Sequence, residues 1–205
     1  ARALDFDGRE VGSEEAVSEL LRDDVFFSVS GGGVTLSGGE PFFQPEFSRE
    51  VLEACHERGI DTAVETCLVC SREVLDSFID ITDQFIVDIK IFDSKKHREI
   101  VGSDNKIIFD NIEYLISKNA KILIRTPLIP GFTTDEENLQ SVGGWVSKLS
   151  EPPPMELINY NPLAENKFRT MKLPYPVSSR GKAYTESEME GFKDILRSAG
   201  VKQVI

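Results

Sequence analysis

Gln84-Phe-Ile-Val-Asp-Ile-Lys90 is a short apolar run that ends in charges, too short for a helix and without the alternation of a half-exposed strand. Such a run suits a strand buried on both faces, as parallel sheets require. Before it, Ser71 can cap a helix with Val74, Leu75, Phe78 and Ile79 inward; after it, Ile107, Ile108, Ile112, Leu115 and Ile116 share a helical face. Lys121-Ile-Leu-Ile-Arg-Thr126 then reads as another strand, closed by Pro127 and Pro130-Gly131. Strand, helix and strand in this order call for a right-handed parallel crossover.

The alternation extends in both directions. Upstream, Ser13 can cap a helix carrying Val17, Leu20 and Leu21, with Glu14 and Glu15 in its first turn. Gly33 to Leu36 is a strand, and Phe47, Val51, Ala54 and Cys55 mark a helix stopped by Gly59 before the short strand Thr62-Ala-Val64. Downstream, Thr134-Asp-Glu-Glu137 reads as a capping box for a helix with Leu139, Val142, Val146 and Leu149 inward, followed by the strand Met155-Glu-Leu-Ile-Asn159. A second box, Thr185-Glu-Ser-Glu188, opens a helix holding Met189, Phe192, Ile195 and Leu196, which Gly200 ends before the closing strand Val201-Lys-Gln-Val-Ile205. About six strands alternating with helices predict an α/β fold, an open doubly wound sheet or a (β/α) barrel. Asn161 to Tyr184, with Pro162, Pro174 and Pro176, reads as a loop over the site. Neither an internal repeat nor a low-complexity linker interrupts residues 1–205, which read as a single domain.

The net charge of −12 opposes nucleic acid, whose binders need a basic face. No apolar run approaches the length of about 18 residues that a membrane span needs, and Ala1 to Asp7 lack a signal-peptide pattern, so a cytoplasmic protein is expected. Three cysteines, Cys55, Cys67 and Cys70, argue against a disulfide framework and for a reducing compartment. Cys67 and Cys70 have C-x-x-C spacing but no second ligand pair, so they read as structural and no metal ligand is assigned.

Parallel α/β folds bind ligands at the carboxyl ends of their strands. Here those ends are Ser37-Gly38-Gly39-Glu40-Pro41, Glu65-Thr66, Asp88-Ile-Lys90, Arg125-Thr126 and Asn159-Tyr-Asn161. Two adjacent glycines let a ligand approach the backbone, and the carboxylates attract a cation while Lys90 and Arg125 attract an anion. The mixture suits a zwitterion that also carries ribose hydroxyls. Two other readings stay open: a barrel enzyme that binds a phosphorylated sugar or nucleotide through Gly31 to Gly39, and a non-catalytic module that holds a partner's loop on the same rim.

Gly31-Gly-Gly-Val-Thr-Leu-Ser-Gly-Gly-Glu-Pro41, with Gln44 after it, resembles the glycine-rich strand of radical S-adenosylmethionine enzymes that activate glycyl-radical enzymes, the pyruvate formate-lyase activating enzyme type. Glu65-Thr66-Cys67 resembles that family's acidic-Thr strand end, and Asp88-Ile-Lys90, with His97 and Gly102, its next segment. Arg125-Thr-Pro-Leu-Ile-Pro-Gly131 and Asn159-Tyr-Asn-Pro162 are similar to its fifth and sixth segments. His97 itself reads as a solvated or hydrogen-bonded helix residue. The resemblance implies a partial (β/α) barrel of the TIM-like radical type. It implies that Gly38, Gly39 and Glu40 hold the methionyl amino group of S-adenosylmethionine with Glu65 and Asp88 nearby, that Lys90 and Arg125 face its carboxylate and ribose, and that Asn161 borders the adenine. Some family members carry Asp at the position of Glu65 and His at that of Asn161.

The family's reaction starts at a [4Fe-4S] cluster on a C-x-x-x-C-x-x-C motif, which this sequence lacks. Ala1-Arg-Ala-Leu resembles the stretch after a cysteine-proline pair in members with a ferredoxin-like insertion, so the cluster segment, the first strand and auxiliary clusters are expected ahead of Ala1. By the resemblance, the complete oxidoreductase uses a 5′-deoxyadenosyl radical to take hydrogen from a glycine of a glycyl radical enzyme, with flavodoxin or ferredoxin as electron donor. No catalytic residue is expected in these 205 residues, and by themselves they are expected to be inactive. The motifs are common to activators of pyruvate formate-lyase, glycerol dehydratase, decarboxylase and ribonucleotide reductase.

Overall fold

A computed structural model describes residues 9–175, 177 and 182–205, so the reading of Ala1-Arg-Ala-Leu lies outside the described residues. The chain divides into two compact units: residues 1–65 with 71–83, and residues 66–70 with 84–205.

The first unit holds α1 (Ser13–Leu20), α2 (Asp24–Ser30), β1 (Gly33–Leu36), α3 (Pro45–His56), β2 (Asp61–Thr66, whose last residue belongs to the second unit) and α4 (Arg72–Ile79). β1 and β2 run parallel, with Gly33 opposite Asp61 and Leu36 opposite Val64. Gly33 is fixed by sterics, because a Cβ there would lie 1.9 Å from the Asp61 carbonyl oxygen. Buried Val34, Cys55 and Ile60 form a core cluster against which Leu20, Leu21 and Phe27 pack. The buried face of α3 runs through Ser48, Val51, Leu52 and Cys55, turned from the expected face so that Leu52 replaces Ala54. Ser13 starts α1 but does not cap it; its hydroxyl donates to Glu50 on α3, and Gly12 is the N-cap residue. Ser71 caps α4 as expected, accepting from the Val74 N–H.

The second unit holds β3 (Gln84–Asp88), α5 (Ser94–Val101), α6 (Lys106–Ser117), β4 (Ile122–Pro127), α7 (Glu136–Val146), β5 (Met155–Ile158), α8 (Ala164–Thr170) and α9 (Glu186–Ser198). Its strands are parallel and follow chain order, Asp88 opposite Arg125 and Arg125 opposite Glu156. Phe85, Ile86 and Val87 are all buried, the two-sided burial that the apolar run predicts. The Thr185–Glu188 capping box forms in full. The proposed box at Thr134 does not: Asp135 is the N-cap residue, its carboxylate accepting from the Asn138 N–H at 2.8 Å. An anionic acceptor one residue nearer the helix outcompetes the threonine hydroxyl. The closing strand shrinks to a single bridge, Met155 with Val204, made by two backbone hydrogen bonds.

The stretch expected as a loop over the site contains α8, and part of it, Pro176 and residues 178–181, lies outside the described residues. Among the described residues no helix is long and apolar enough to cross a membrane.

Replacing Gly33 by alanine drives a methyl into the neighbouring strand's backbone, and overpacking of this kind costs about 1–3 kcal/mol or more. Urea unfolding of Gly33→Ala is expected to show at least that loss, whereas a midpoint equal to wild type would show that the strands separate freely at this position.

Candidate functional site

In the first unit the end of β1 turns through Gly38 and Gly39, with φ of 81° and 53°. These left-handed conformations favour glycine, and nothing lies within 4 Å of where either Cβ would stand. The turn therefore presents bare backbone to open space. Glu40 follows as the N-cap residue of a short 3-10 turn (Pro41–Phe43), its carboxylate accepting from the Phe42 N–H at 3.4 Å. Across the strand pair, the Ser37 hydroxyl donates to Glu65 at 2.9 Å, so the ends of β1 and β2 are joined through a residue the sequence singles out.

In the second unit the end of β3 gathers charge. Lys90 Nζ stands 3.0 Å from Asp88 Oδ2 and donates to Cys67 Sγ at 3.3 Å. Burial, the largest influence on Lys90, favours the neutral amine, but the Asp88 carboxylate and the Cys67 sulfur together outweigh it and raise the Lys90 pKa. Arg125 pairs with its register partner Glu156, Nε to Oε2 at 2.6 Å. Both side chains are only about a quarter exposed, at 23% and 26%, so solvent screens this pair less than a surface one. Asn161 is exposed, and its Oδ1 accepts from the Leu163 N–H at 3.0 Å, where the chain turns into α8.

Beside Lys90 the second unit has a cavity of about 530 Å³ whose walls include Ile91, Leu128, Ile158, Asn161, Phe168 and Tyr175. The Tyr160 and Tyr175 hydroxyls lie 2.9 Å apart and link the end of β5 to the segment after α8. Phe168 and Tyr175 come from the stretch expected to cover the site. A larger hollow of about 710 Å³ lies at the starts of α5, α6 and α7. It is lined by capping residues and lysines already engaged, Lys96 with Asp135 and Lys106 with Asp110, and reads as a solvated groove.

Buried amides hold these loops, and sequence reasoning did not single them out. Asn138 donates to the Lys90 and Thr133 carbonyls at 3.0 and 3.1 Å and accepts from the Phe92 N–H at 2.9 Å. Asn105 donates to the Ile91 and Phe92 carbonyls, and Asn111 to those of Leu68 and Cys70. The signal that could have found them was a polar residue at an apolar position, as with Asn111 between Ile108, Ile112 and Leu115 on α6. His97 is 3% exposed, and its Nδ1 lies 2.8 Å from the Ser103 carbonyl oxygen, the hydrogen-bonded helix residue the sequence suggests. The Gly102 that follows ends α5 with φ of 94°.

Residues 5–141 match the family model described as the Radical SAM superfamily. The choline trimethylamine-lyase activating enzyme of Oleidesulfovibrio alaskensis is 31% identical over 91% of this chain, which spans 62% of that protein's length. The pyruvate formate-lyase 1-activating enzyme of Escherichia coli is 32% identical over 95% of this chain and 80% of its own. Among solved structures, a domain of a pyruvate-formate lyase-activating enzyme from Bacteroides vulgatus superposes with a TM-score of 0.67 at 28% identity, covering 85% of this chain and 98% of that one.

Asn138→Leu removes one acceptor and two donors from three backbone groups at a site 5% exposed. Each group left unsatisfied costs about 1–3 kcal/mol, so the variant is expected to lose several kcal/mol in denaturant unfolding. A loss below about 1 kcal/mol would mean the loop finds other partners.

Proposed function

The chain belongs to the radical SAM superfamily, and within it to the activating enzymes of glycyl radical enzymes, and we propose that its strand ends bind S-adenosylmethionine for hydrogen abstraction from a glycine of a partner protein. Its fold is the α/β, partial-barrel type of that family. We also read residues 1–205 as one domain, because the family match over residues 5–141 takes in parts of both units.

The observation that carries this reading is the Lys90 ammonium at the end of β3, steadied by Asp88 and kept charged above the usual lysine range. A fixed cation there suits a ligand carboxylate. Bare backbone at Gly38 and Gly39, with the carboxylates of Glu40 and Glu65, suits an ammonium. In the proposed assignment Gly38, Gly39 and Glu40 take the methionyl amino group with Glu65 and Asp88 near it, Lys90 and Arg125 take the carboxylate and ribose, and Asn161 borders the adenine. The apolar cavity beside Lys90 supports the last role, since Asn161 is on its wall. S-adenosylmethionine, when bound, supplies the radical chemistry through cleavage of its sulfonium. The polypeptide positions it and excludes water.

The residues present do not fit a [4Fe-4S] cluster. Cys55 is fully buried, Cys67 engages Lys90, and Asn111 Nδ2 lies 3.9 Å from Cys70 Sγ. Among the described residues no three His, Cys, Asp or Glu side chains gather as a metal site. We place the cluster's ligands outside these 205 residues, a flavodoxin or ferredoxin as its electron donor, and the protein in the cytoplasm.

Under anaerobic reduction with iron and sulfide, the 205-residue chain is expected to form no 5′-deoxyadenosine. In protein that carries the cysteine triplet, Lys90→Met and Asp88→Asn should weaken S-adenosylmethionine binding by about tenfold or more, at unchanged cluster absorbance. Tighter binding of inorganic phosphate or nucleotides than of S-adenosylmethionine in calorimetry would favour the phosphate-binding alternative and defeat this reading.

A further inference from the structure

The turn that follows β2 is held in a conformation its sequence does not favour. Leu68 sits at φ 59° and is fully buried, left-handed backbone at a non-glycine residue. Strain of this kind persists only where the surroundings over-determine it. Here the Leu68 N–H donates to Thr66 Oγ1 at 2.8 Å, and the Asn111 amide, 2% exposed on α6, donates to the Leu68 and Cys70 carbonyls at 2.9 and 3.0 Å. A strained leucine and a buried amide thus cooperate to give residues 66–70 one shape. That shape puts Cys67 Sγ 3.3 Å from Lys90 Nζ, with Asp88 Oδ2 3.0 Å from the same nitrogen.

We propose that Cys67 is a positioning residue for Lys90, held in place by the Leu68 turn and Asn111, and that Cys67 and Asp88 together aim the Lys90 ammonium at an anionic group of the ligand. The proposal rests on the reading of Lys90 as a ligand-facing residue. An ammonium has three donors on a stem of four carbons. With one N–H on Asp88 and one on Cys67, the third has a single direction left to point, and that direction serves the ligand. A lysine with one acceptor would swing about it. The burial of Lys90 gives the sulfur a second effect: a polarizable acceptor beside the amine helps offset the cost of keeping it charged away from water.

The test is the acylation of Lys90 by acetic anhydride as a function of pH, followed by peptide mass spectrometry in the protein that carries the cysteine triplet. Only the free amine reacts, and Cys67 raises the Lys90 pKa, so its removal should make Lys90 react faster at a given pH. Cys67→Ala is expected to speed Lys90 acylation at pH 9 roughly threefold or more, and Cys67→Ser by less, because its hydroxyl still accepts a hydrogen bond from the ammonium. Asn111→Ala, which leaves the thiol but frees the turn, should move Lys90 the same way. Exposed Lys106 serves as the internal control for folding, unchanged in each variant. An unaltered Lys90 profile in Cys67→Ala overturns the proposal whatever happens to ligand affinity. A shifted profile with weaker S-adenosylmethionine binding in calorimetry, both partly restored in Cys67→Ser, supports it. A shifted profile with unchanged affinity sinks the aiming of Lys90 at ligand, while cofactor binding by the wild-type protein is read separately from the same titrations.

Discussion

A parallel strand runs out of neighbours at its carboxyl end, and the backbone beyond it must find other partners if it is buried. This chain meets that demand with side-chain amides and hydroxyls. Asn111 serves the turn after β2, Asn105 and Asn138 the turn after β3, Thr133 the turn after β4, and Asn159 ties the end of β5 to the backbone of Tyr184. Since a buried amide left half satisfied would cost more than an apolar side chain, each of these loops is held to one conformation. Lys90 rides on a loop fixed in this way, while Asp88 and Arg125 stand on the strands themselves.

That constraint decides what the charged residues can do. Lys90 lies two residues beyond the end of β3, and its own carbonyl is one of the groups bonded by Asn138. Its ammonium is then committed from the other side by Asp88 and Cys67. Arg125 is directed by Glu156 on the adjacent strand, so both cations are placed by neighbours within the same unit. A chain of net charge −12 thereby keeps two local positive charges in defined positions among carboxylates, the mixture that the proposed zwitterionic ligand would need.

Elements whose apolar face turns to the core were legible in the sequence: β3, β4, α4, α6 and the capping box of α9 lie where period and caps put them. α2 was not, and its composition says why. Val25, Phe26 and Val29 are 71%, 70% and 84% exposed, so the helix has no buried stripe for a periodicity argument to find. The closing strand was overread because Val201, Val204 and Ile205 carry no information about how much neighbouring strand they will meet. For the proposed site, the sequence pointed to Gly38, Gly39, Glu40, Glu65, Asp88, Lys90, Arg125 and Asn161, yet the pairings of Arg125 with Glu156 and of Lys90 with Cys67 depend on register and on a left-handed leucine. Neither can be read from spacing.

In the proposed reading, the strand-end cation at Lys90 is pre-set for a ligand carboxylate. A crystal structure of the protein with S-adenosylmethionine bound would show whether it is. The methionyl carboxylate is expected within hydrogen-bond distance of Lys90 Nζ, with Asp88 and Cys67 still on that nitrogen's other two N–H groups. Ligand density away from Lys90, or a Lys90 side chain swung off both partners to reach it, would mean that this cation is not pre-set for the ligand.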